Sequence, residues 1–189
     1  MDYKRSIVDV IGERHANRTY QKKPLSREHG DLLDGCLASP VKGPFGAAAR
    51  FRLVAAREDD SASLRDLGTY GVIKNPAGFI TGAIGKSDRH LEDYGYLLER
   101  IVLYATALGL GTCWLGGTFR KSGFARSISL KDGEAIPAVI ATGYSADRPG
   151  ILDSIMRFGA GSKHRKRWEE LFFIGDFSSP MTGDSAGDY

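Results

Sequence analysis

A long helix with one apolar face is the feature that most constrains the fold of this chain. Between Asp88 and Leu108, apolar side chains recur every three or four residues, which is the spacing of one face of an α-helix. The stripe consists of Leu91, Tyr94, Leu97, Leu98, Ile101, Val102, Ala105 and Leu108. Gly109 follows directly and is expected to end the helix. The sequence therefore predicts a central helix whose apolar face is buried against the rest of a domain.

Shorter patterns predict the elements around this helix. Apolar residues over 7–11 indicate a helix, and Ser26 is the expected N-cap of a second one that stops at Ser39-Pro40. The buried stripe predicted for that second helix is Leu32, Leu33, Cys36 and Leu37. Strands are predicted over 51–55, 78–84, 112–115 and 136–144, and a further helix over 119–128. Because these pieces lack regular strand–helix–strand spacing, we predict an α+β fold with a mixed, mainly antiparallel sheet flanked by helices.

The composition is typical of a soluble globular domain. The 189 residues fit a single domain, and 42% hydrophobic against 26% charged residues is too apolar for a disordered chain. A net charge of +3 is too small to indicate a nucleic-acid binder. No apolar run approaches the roughly 20 residues that cross a bilayer, and no signal-peptide core follows the N-terminus. We expect a cytoplasmic protein with an anionic small-molecule partner and no nucleic-acid or membrane partner.

Neither the cysteines nor the histidines predict a metal or catalytic site. Cys36 and Cys113 lie inside apolar segments, which favours reduced, buried thiols over a disulfide. His90 and His164 have no cysteine or carboxylate at ligand spacing, so we interpret both as surface residues. From Ser178 the composition changes to that of a linker. We predict a domain over 1–177, a linker or disordered tail over 178–189, no metal site and no catalytic side chain.

Basic residues directly after the first predicted helix are candidates for holding a phosphate. A phosphate needs several converging donors, which arginine supplies in a fixed fork. Arg14 and Arg18 lie four residues apart with His15 between them, and Thr19-Tyr20 favours extended backbone. The segment could therefore wrap an anion with its side chains and its N–H groups. The alternative is a solvated helix end that interacts with the helix dipole, and composition alone favours that alternative.

Two other motifs allow a ligand site and a plainer interpretation. Gly116-Gly117 follows a short apolar strand, where the absence of side chains lets the backbone approach a flat ring. An ordinary tight turn is the commoner role of such a pair. The basic run Lys163 to Arg167 could contact an anion, but such a run is usually a solvated patch and occasionally binds nucleic acid or acidic lipid.

Together, these motifs resemble the nitroreductase family of flavoproteins, and most closely its single-chain branch, in which two unequal halves imitate a homodimer. The segment from Arg14 to Tyr20 is similar to an N-terminal signature Arg-Arg/His-Ser-x-Arg/Lys followed by an aromatic residue, except at Ala16. The run from Glu92 through Glu99 to Gly117 resembles the central helix and flavin turn. Lys163 and Arg165 resemble a C-terminal Lys-x-Arg.

The resemblance implies an oxidoreductase in which NADH or NADPH reduces FMN, and a nitro compound, quinone or similar acceptor takes the electrons. The implied FMN contacts are Arg14, His15, Arg18, Gly116, Gly117, Lys163 and Arg165. Arg18 is expected at the pyrimidine edge, where a cation stabilises the negative charge of reduced flavin. Two other hypotheses stay open: a module that binds FMN or another phosphorylated ligand without turnover, and a basic interaction protein that uses Lys163 to Arg167.

The resemblance also implies a second half that the chain is expected to lack. Nitroreductase dimers complete each flavin site with a partner segment of the form Pro-Ser-x-x-Asn-x-Gln-Pro-Trp. The region Ala38 to Ala47 has no asparagine, glutamine or tryptophan. Either the chain is a fragment, which we favour slightly, or two chains associate and the loop after Ser39 serves as the missing wall. A half-open site should bind FMN weakly because the ring stays wet.

Overall fold

An antiparallel sheet is the centre of the first of two units in the computed structural model. The structure describes residues 3–55, 64, 67–147 and 166–182, and the chain divides into units 1–150 and 151–189. The strands are β1 (Val41–Lys42), β2 (Ala48–Ala55), β3 (Gly78–Gly85), β4 (Gly111–Leu115), β5 (Glu134–Ala135) and β6 (Val139–Gly143). They lie in the order β1-β2-β3-β6-β4, with β5 beside β3, and all these pairings are antiparallel. The predicted α+β class is confirmed.

Four α-helices lie among the described residues of this unit, and local signals place their ends. They are α1 (Ile7–Glu13), α2 (Arg27–Leu37), α3 (His90–Ala107) and α4 (Lys121–Ser127). Ser26 caps α2 as predicted, because its hydroxyl accepts the backbone N–H of His29 at 3.2 Å. Gly109 follows α3 with a φ of +77°, a conformation that glycine adopts without strain and that stops the helix.

The sheet is buried on both faces, and β3 shows why its sequence is almost entirely apolar. Ile80 and Ile84 enter a core with α2 and α3, whereas Phe79 and Ala83 enter a second core that includes Phe124 of α4. Successive side chains of a strand point to opposite faces, so one strand supplies both cores. All of β3 except its last residue is buried.

A glycine sets the packing between β2 and α3. Gly82 pairs with Phe51 across the sheet, and a Cβ on Gly82 would overlap the Phe51 ring and approach the Tyr94 hydroxyl. The Tyr94 hydroxyl donates to the carbonyl of Ala138 at 2.6 Å, which satisfies this buried group. The absence of a side chain at Gly82 therefore allows two aromatic rings to fill the same layer.

Some side chains predicted to be buried are partly exposed. Leu91 is 57% exposed and Leu32 is 36% exposed, although both belong to predicted buried stripes. Each lies at the margin of its helix's apolar face. Periodicity predicts that such a position is buried, but the neighbouring elements leave it partly uncovered. Cys36 is half-buried, while Cys113 is buried as predicted, and both are free thiols. The predicted strand 136–144 is shorter in the structure, where β6 begins at Val139, after Pro137.

The second unit is described over 166–182. It contains a 3₁₀-helix, Trp168–Glu170, and the rings of Trp168 and Phe172 are stacked with centroids 4.0 Å apart. Phe173 and Pro180 form an isolated bridge that closes a turn. Among the helices of the described ranges, none combines the length and the apolar character required to cross a membrane.

Candidate functional site

The basic segment after α1 is extended and is held against the sheet by its backbone. Arg14 ends α1 with extended dihedral angles, φ −62° and ψ 125°. Ala16 forms a parallel bridge with Thr112 of β4, in which the N–H of Asn17 donates to the Thr112 carbonyl at 2.8 Å. The carbonyl of Arg18 accepts from the N–H of Lys74, also at 2.8 Å. The predicted extension is confirmed, and backbone hydrogen bonds attach the segment to β4 and to the stretch around Lys74, so it is not a solvated helix end.

Tyr20 anchors the end of this segment. Its side chain is 1% exposed, and its hydroxyl donates to the carbonyl of Ala141 in β6 at 3.1 Å. A Cβ on Gly143 would lie 3.1 Å from the Tyr20 ring, so the glycine makes room for it. A buried, hydrogen-bonded tyrosine fixes the backbone at the end of the segment.

Glu99 of α3 joins the basic segment to β4. Its Oε1 lies 3.3 Å from Nε of Arg14, and its Oε2 accepts the indole N–H of Trp114 at 2.7 Å. Nε of Arg14 is buried and makes no hydrogen bond, so this contact is an ion pair without hydrogen-bond geometry. One carboxylate therefore contacts residues from two of the motifs that the sequence predicts to form a site.

The other two residues of the basic motif lie on the same extended segment. His15 is exposed, and its Nδ1 is 2.9 Å from the carbonyl oxygen of Glu13. Arg18 is half-buried between the bridges at Ala16 and Thr19. Arg14, His15 and Arg18, which are neighbours in sequence, thus lie on one short extended stretch beside β4. Lys163 and Arg165 lie outside the described residues.

Gly116 and Gly117 follow β4 directly and are exposed. Neither has a positive φ, and a Cβ on either would meet no atom within 4 Å. Gly111, at the other end of β4, differs, because its Cβ would lie 2.6 Å from the Ser145 hydroxyl and 3.0 Å from the Asn17 side chain. Backbone conformation and the packing of the described residues therefore leave room for side chains at Gly116 and Gly117.

A second carboxylate of α3, this one fully buried, fixes the loop whose sequence was compared above with the partner segment of dimers. Asp93 of α3 is fully buried and accepts the N–H groups of Phe45 and Ala47, each at 2.7 Å. A Cβ on Gly43 would overlap the Asp93 carboxylate, so the loop packs directly on it. The ring of Phe45 is 52% exposed, with the guanidinium of Arg89 4.9 Å from its centroid.

A cavity of about 200 Å³ lies between α2, β2 and α3. Its lining includes the Cys36 thiol and the side chain of Arg100. Burial raises the pKa of the Cys36 thiol, and the charge of Arg100 opposes that rise. None of the predicted site residues lines this cavity. No group of three or more metal-ligating side chains occurs within the described part of the chain.

Comparison with known proteins decides the family. The model of a family described as "Putative TM nitroreductase" matches residues 6–177. The chain belongs to this nitroreductase family. A relative described as "Putative NADH dehydrogenase/NAD(P)H nitroreductase" from Methanothermobacter thermautotrophicus is 26% identical over 177 residues, which cover 87% of this chain and 89% of the relative.

Solved structures share the fold of this nitroreductase-family chain. A nitroreductase family protein from Clostridium difficile 630 matches with a TM-score of 0.63 and 16% identity, over 89% of this chain and 98% of that one. A protein from Desulfovibrio desulfuricans described as "a putative nitroreductase in complex with fmn" matches with a TM-score of 0.61 and 20% identity, over 92% of this chain and 98% of that one. At these identities the likeness shows the fold.

Sequence reasoning gave no role to Glu99 or Asp93, although both lie within the run that resembles the family. The sequence does carry a signal for each of these two carboxylates. Each is a carboxylate on a helix whose neighbouring residues, Tyr94 and Leu98, are buried. Charged residues at the edge of an apolar helix face usually have a specific partner. Their partners come from distant parts of the chain, so the sequence pattern alone could not identify them.

Proposed function

We propose that this chain is an FMN-dependent oxidoreductase that passes electrons from NADH or NADPH to a nitro compound, a quinone or a similar small acceptor in the cytoplasm. The observation that carries the proposal is the placement of the basic segment beside β4, the strand that leads directly to Gly116-Gly117. When bound, FMN supplies the redox chemistry, so the chain has to bind, orient and shield it.

The basic segment fits the phosphate end of FMN. Arg14, His15 and Arg18 place several N–H donors within five residues of extended backbone, which suits an anion with several acceptor oxygens. Arg14 is 27% exposed, so its guanidinium is partly accessible. In this arrangement Arg14 and His15 hold the phosphate and ribityl end, and Arg18 places its charge at the pyrimidine edge. Lys163 and Arg165, which the family resemblance implies as further phosphate contacts, stay a prediction.

The glycine pair fits the ring of the cofactor. Thr112, beside the basic segment, and Gly116 are four residues apart, which corresponds to about 13 Å along an extended strand. Since neither backbone conformation nor the described packing requires glycine at Gly116 and Gly117, a close approach by a bound flat group explains the absence of side chains. Their backbone N–H groups would then contact the ring.

We also propose that a further protein segment, from a second chain or a second half, completes the wall of the site. Gly116 and Gly117 are exposed, and an isoalloxazine ring placed there needs cover to exclude water. In an association of two chains, the loop containing Phe45, which Asp93 fixes, is the segment that one chain would supply as the wall of the other chain's site. FMN affinity that rises with protein concentration, together with dimers in sedimentation, would support association of two chains.

Flavin spectroscopy tests the function directly. The purified protein should take up FMN, lose its visible absorbance when NADH or NADPH is added without oxygen, and regain it when a quinone is supplied. A protein that binds FMN but never bleaches would be a binding module without turnover. A protein that takes up no FMN would contradict both functions.

Replacing Arg18 by alanine tests the assignment of the site. Loss of one charge-assisted contact should weaken FMN binding by about tenfold. Arg27→Ala is a matched control, because Arg27 is 96% exposed on α2 and pairs only across a helix turn with Asp31. Equal FMN affinities for the two variants would contradict the placement of Arg18 at the cofactor.

A further inference from the structure

Glu99 makes a contact with Arg14 that a stability role does not explain. Its carboxylate and the Arg14 side chain are 37% and 27% exposed, and they lie 3.3 Å apart. Ion pairs with this much exposure contribute little to the free energy of unfolding, because water screens them. The contact nevertheless joins the end of α1 to the central helix, 85 positions away along the chain. Its consequence is therefore local to the Arg14 side chain.

The contact with Glu99 leaves the terminal nitrogens of the Arg14 guanidinium available. A guanidinium has five N–H donors in one plane, and the contact with Glu99 involves Nε. The terminal nitrogens are the ones that form a fork to a phosphate. A carboxylate beside Nε restricts rotation of the whole planar group, so it lowers the entropy that Arg14 loses when it grips an anion.

Trp114 fixes Glu99 in turn. The indole N–H donates to Oε2 at 2.7 Å, and Oε1 faces Arg14, so the two oxygens of one carboxylate have different partners. Trp114 is half-buried on β4, the strand that also bridges the basic segment through Thr112. Trp114, Glu99 and Arg14 therefore form a chain of contacts from the sheet to the guanidinium.

We propose that Glu99 is a positioning residue that orients Arg14 toward the phosphate of the flavin, with Trp114 holding the carboxylate in place. The inference rests on the proposed FMN function and adds a specific consequence to it. Glu99 acts on the phosphate end of the ligand alone. Its removal changes the preference of the site for FMN over riboflavin, which has the same ring and ribityl chain but no phosphate.

The test compares both flavins on the full-length protein freed of flavin. Glu99→Gln keeps an acceptor for Trp114 but removes the charge that faces Arg14. It should weaken FMN binding by about tenfold, the equivalent of one charge-assisted hydrogen bond, and change riboflavin binding by less than about twofold. Trp114→Phe should give a smaller loss of the same kind. Adding Glu99→Gln to Arg14→Gln should cause no further loss of FMN affinity, because both changes remove one interaction.

Glu13→Gln is the matched control. It removes the same charge one position from Arg14, where Glu13 is exposed and pairs with Arg5, but it leaves the contact with Glu99 intact. FMN binding by this variant should not weaken. The proposal is overturned if Glu99→Gln weakens both flavins equally, which indicates a structural role. It is also overturned if Glu99→Gln tightens FMN binding, which indicates that the carboxylate only competes with the phosphate. A wild-type protein that binds neither flavin removes the proposed function itself.

Discussion

Asp93 gives the most quantitative prediction. Its carboxylate is fully buried and accepts two backbone N–H groups, from Phe45 and Ala47, at 2.7 Å each. Asp93→Asn preserves the size of the side chain but replaces one acceptor oxygen with an NH₂ group. That group faces a backbone N–H, so one buried donor loses its partner and the remaining hydrogen bond loses its charge. Both effects reduce the free energy of unfolding.

The magnitude follows from the cost of each change. A hydrogen bond to a charged group contributes about 1.5–3 kcal/mol, and an unpaired buried donor costs about 1–3 kcal/mol. Because asparagine is neutral, the variant no longer buries a charge, and this restores part of the lost free energy of unfolding. We expect a net loss of about 2–4 kcal/mol. The loop cannot relax away easily, because Gly43 packs directly against the carboxylate. In a domain of this size, about 3 kcal/mol lowers Tm by about 6–12 °C.

The assay is thermal and urea unfolding of Asp93→Asn beside Glu92→Gln. Glu92 precedes Asp93 in the first turn of α3, is exposed, and loses the same charge in the control. Both variants give up a similar interaction with the helix dipole, so their difference isolates the buried hydrogen bonds. A difference below about 0.5 kcal/mol would refute the reasoning, since surface substitutions normally vary within that range.

Three further outcomes are expected. Gly116→Ala should weaken FMN binding about tenfold without lowering Tm, because a Cβ there meets no atom of the described chain. Gly109→Ala should instead cost about 1–2 kcal/mol of stability, because Gly109 has a φ of +77°. Titration with FMN and thermal melts distinguish the two. The Arg50 guanidinium holds the pKa of Glu134 below its ordinary value of 4.5. The ion pair therefore stabilises the folded state fully above that pH, and this stabilisation is lost as the pH falls through the lower folded-state pKa. Glu134→Gln should flatten the acid side of a plot of Tm against pH, and an unchanged slope would contradict this. Burial raises the pKa of Cys36, so a thiol reagent should modify it more slowly than a free thiol at mildly alkaline pH, and a rate equal to that of the free thiol would contradict its burial.

Local signals in the sequence determined which segments became helices and strands. The Ser26 cap, the stop at Gly109 and the periodicity of α3 depend on residues within a few positions of one another, and each is present in the structure. Such signals act through the backbone of one segment, so they can be recognised from the sequence of that segment alone. The α+β class follows from the order of these segments.

The sequence also predicted residues for the candidate site, but this prediction came from a family resemblance. Composition alone favoured a solvated helix end for the segment containing Arg14 and Arg18. The structure holds that segment against β4 instead, through the hydrogen bond from Asn17 to Thr112. Residues almost 100 positions apart form this contact, and no local pattern encodes such a pairing.

Tertiary structure decided which side chains pair and how closely elements approach. Glu99 contacts Arg14 and Trp114 because α3, α1 and β4 converge there, and Phe51 crosses above Gly82 because that position has no side chain. Hydrophobic periodicity assigns a face to each helix, but the extent of coverage depends on the neighbours that pack on it. Burial, charge partners and close contacts are properties of several segments at once, so they emerged only when the chain was folded.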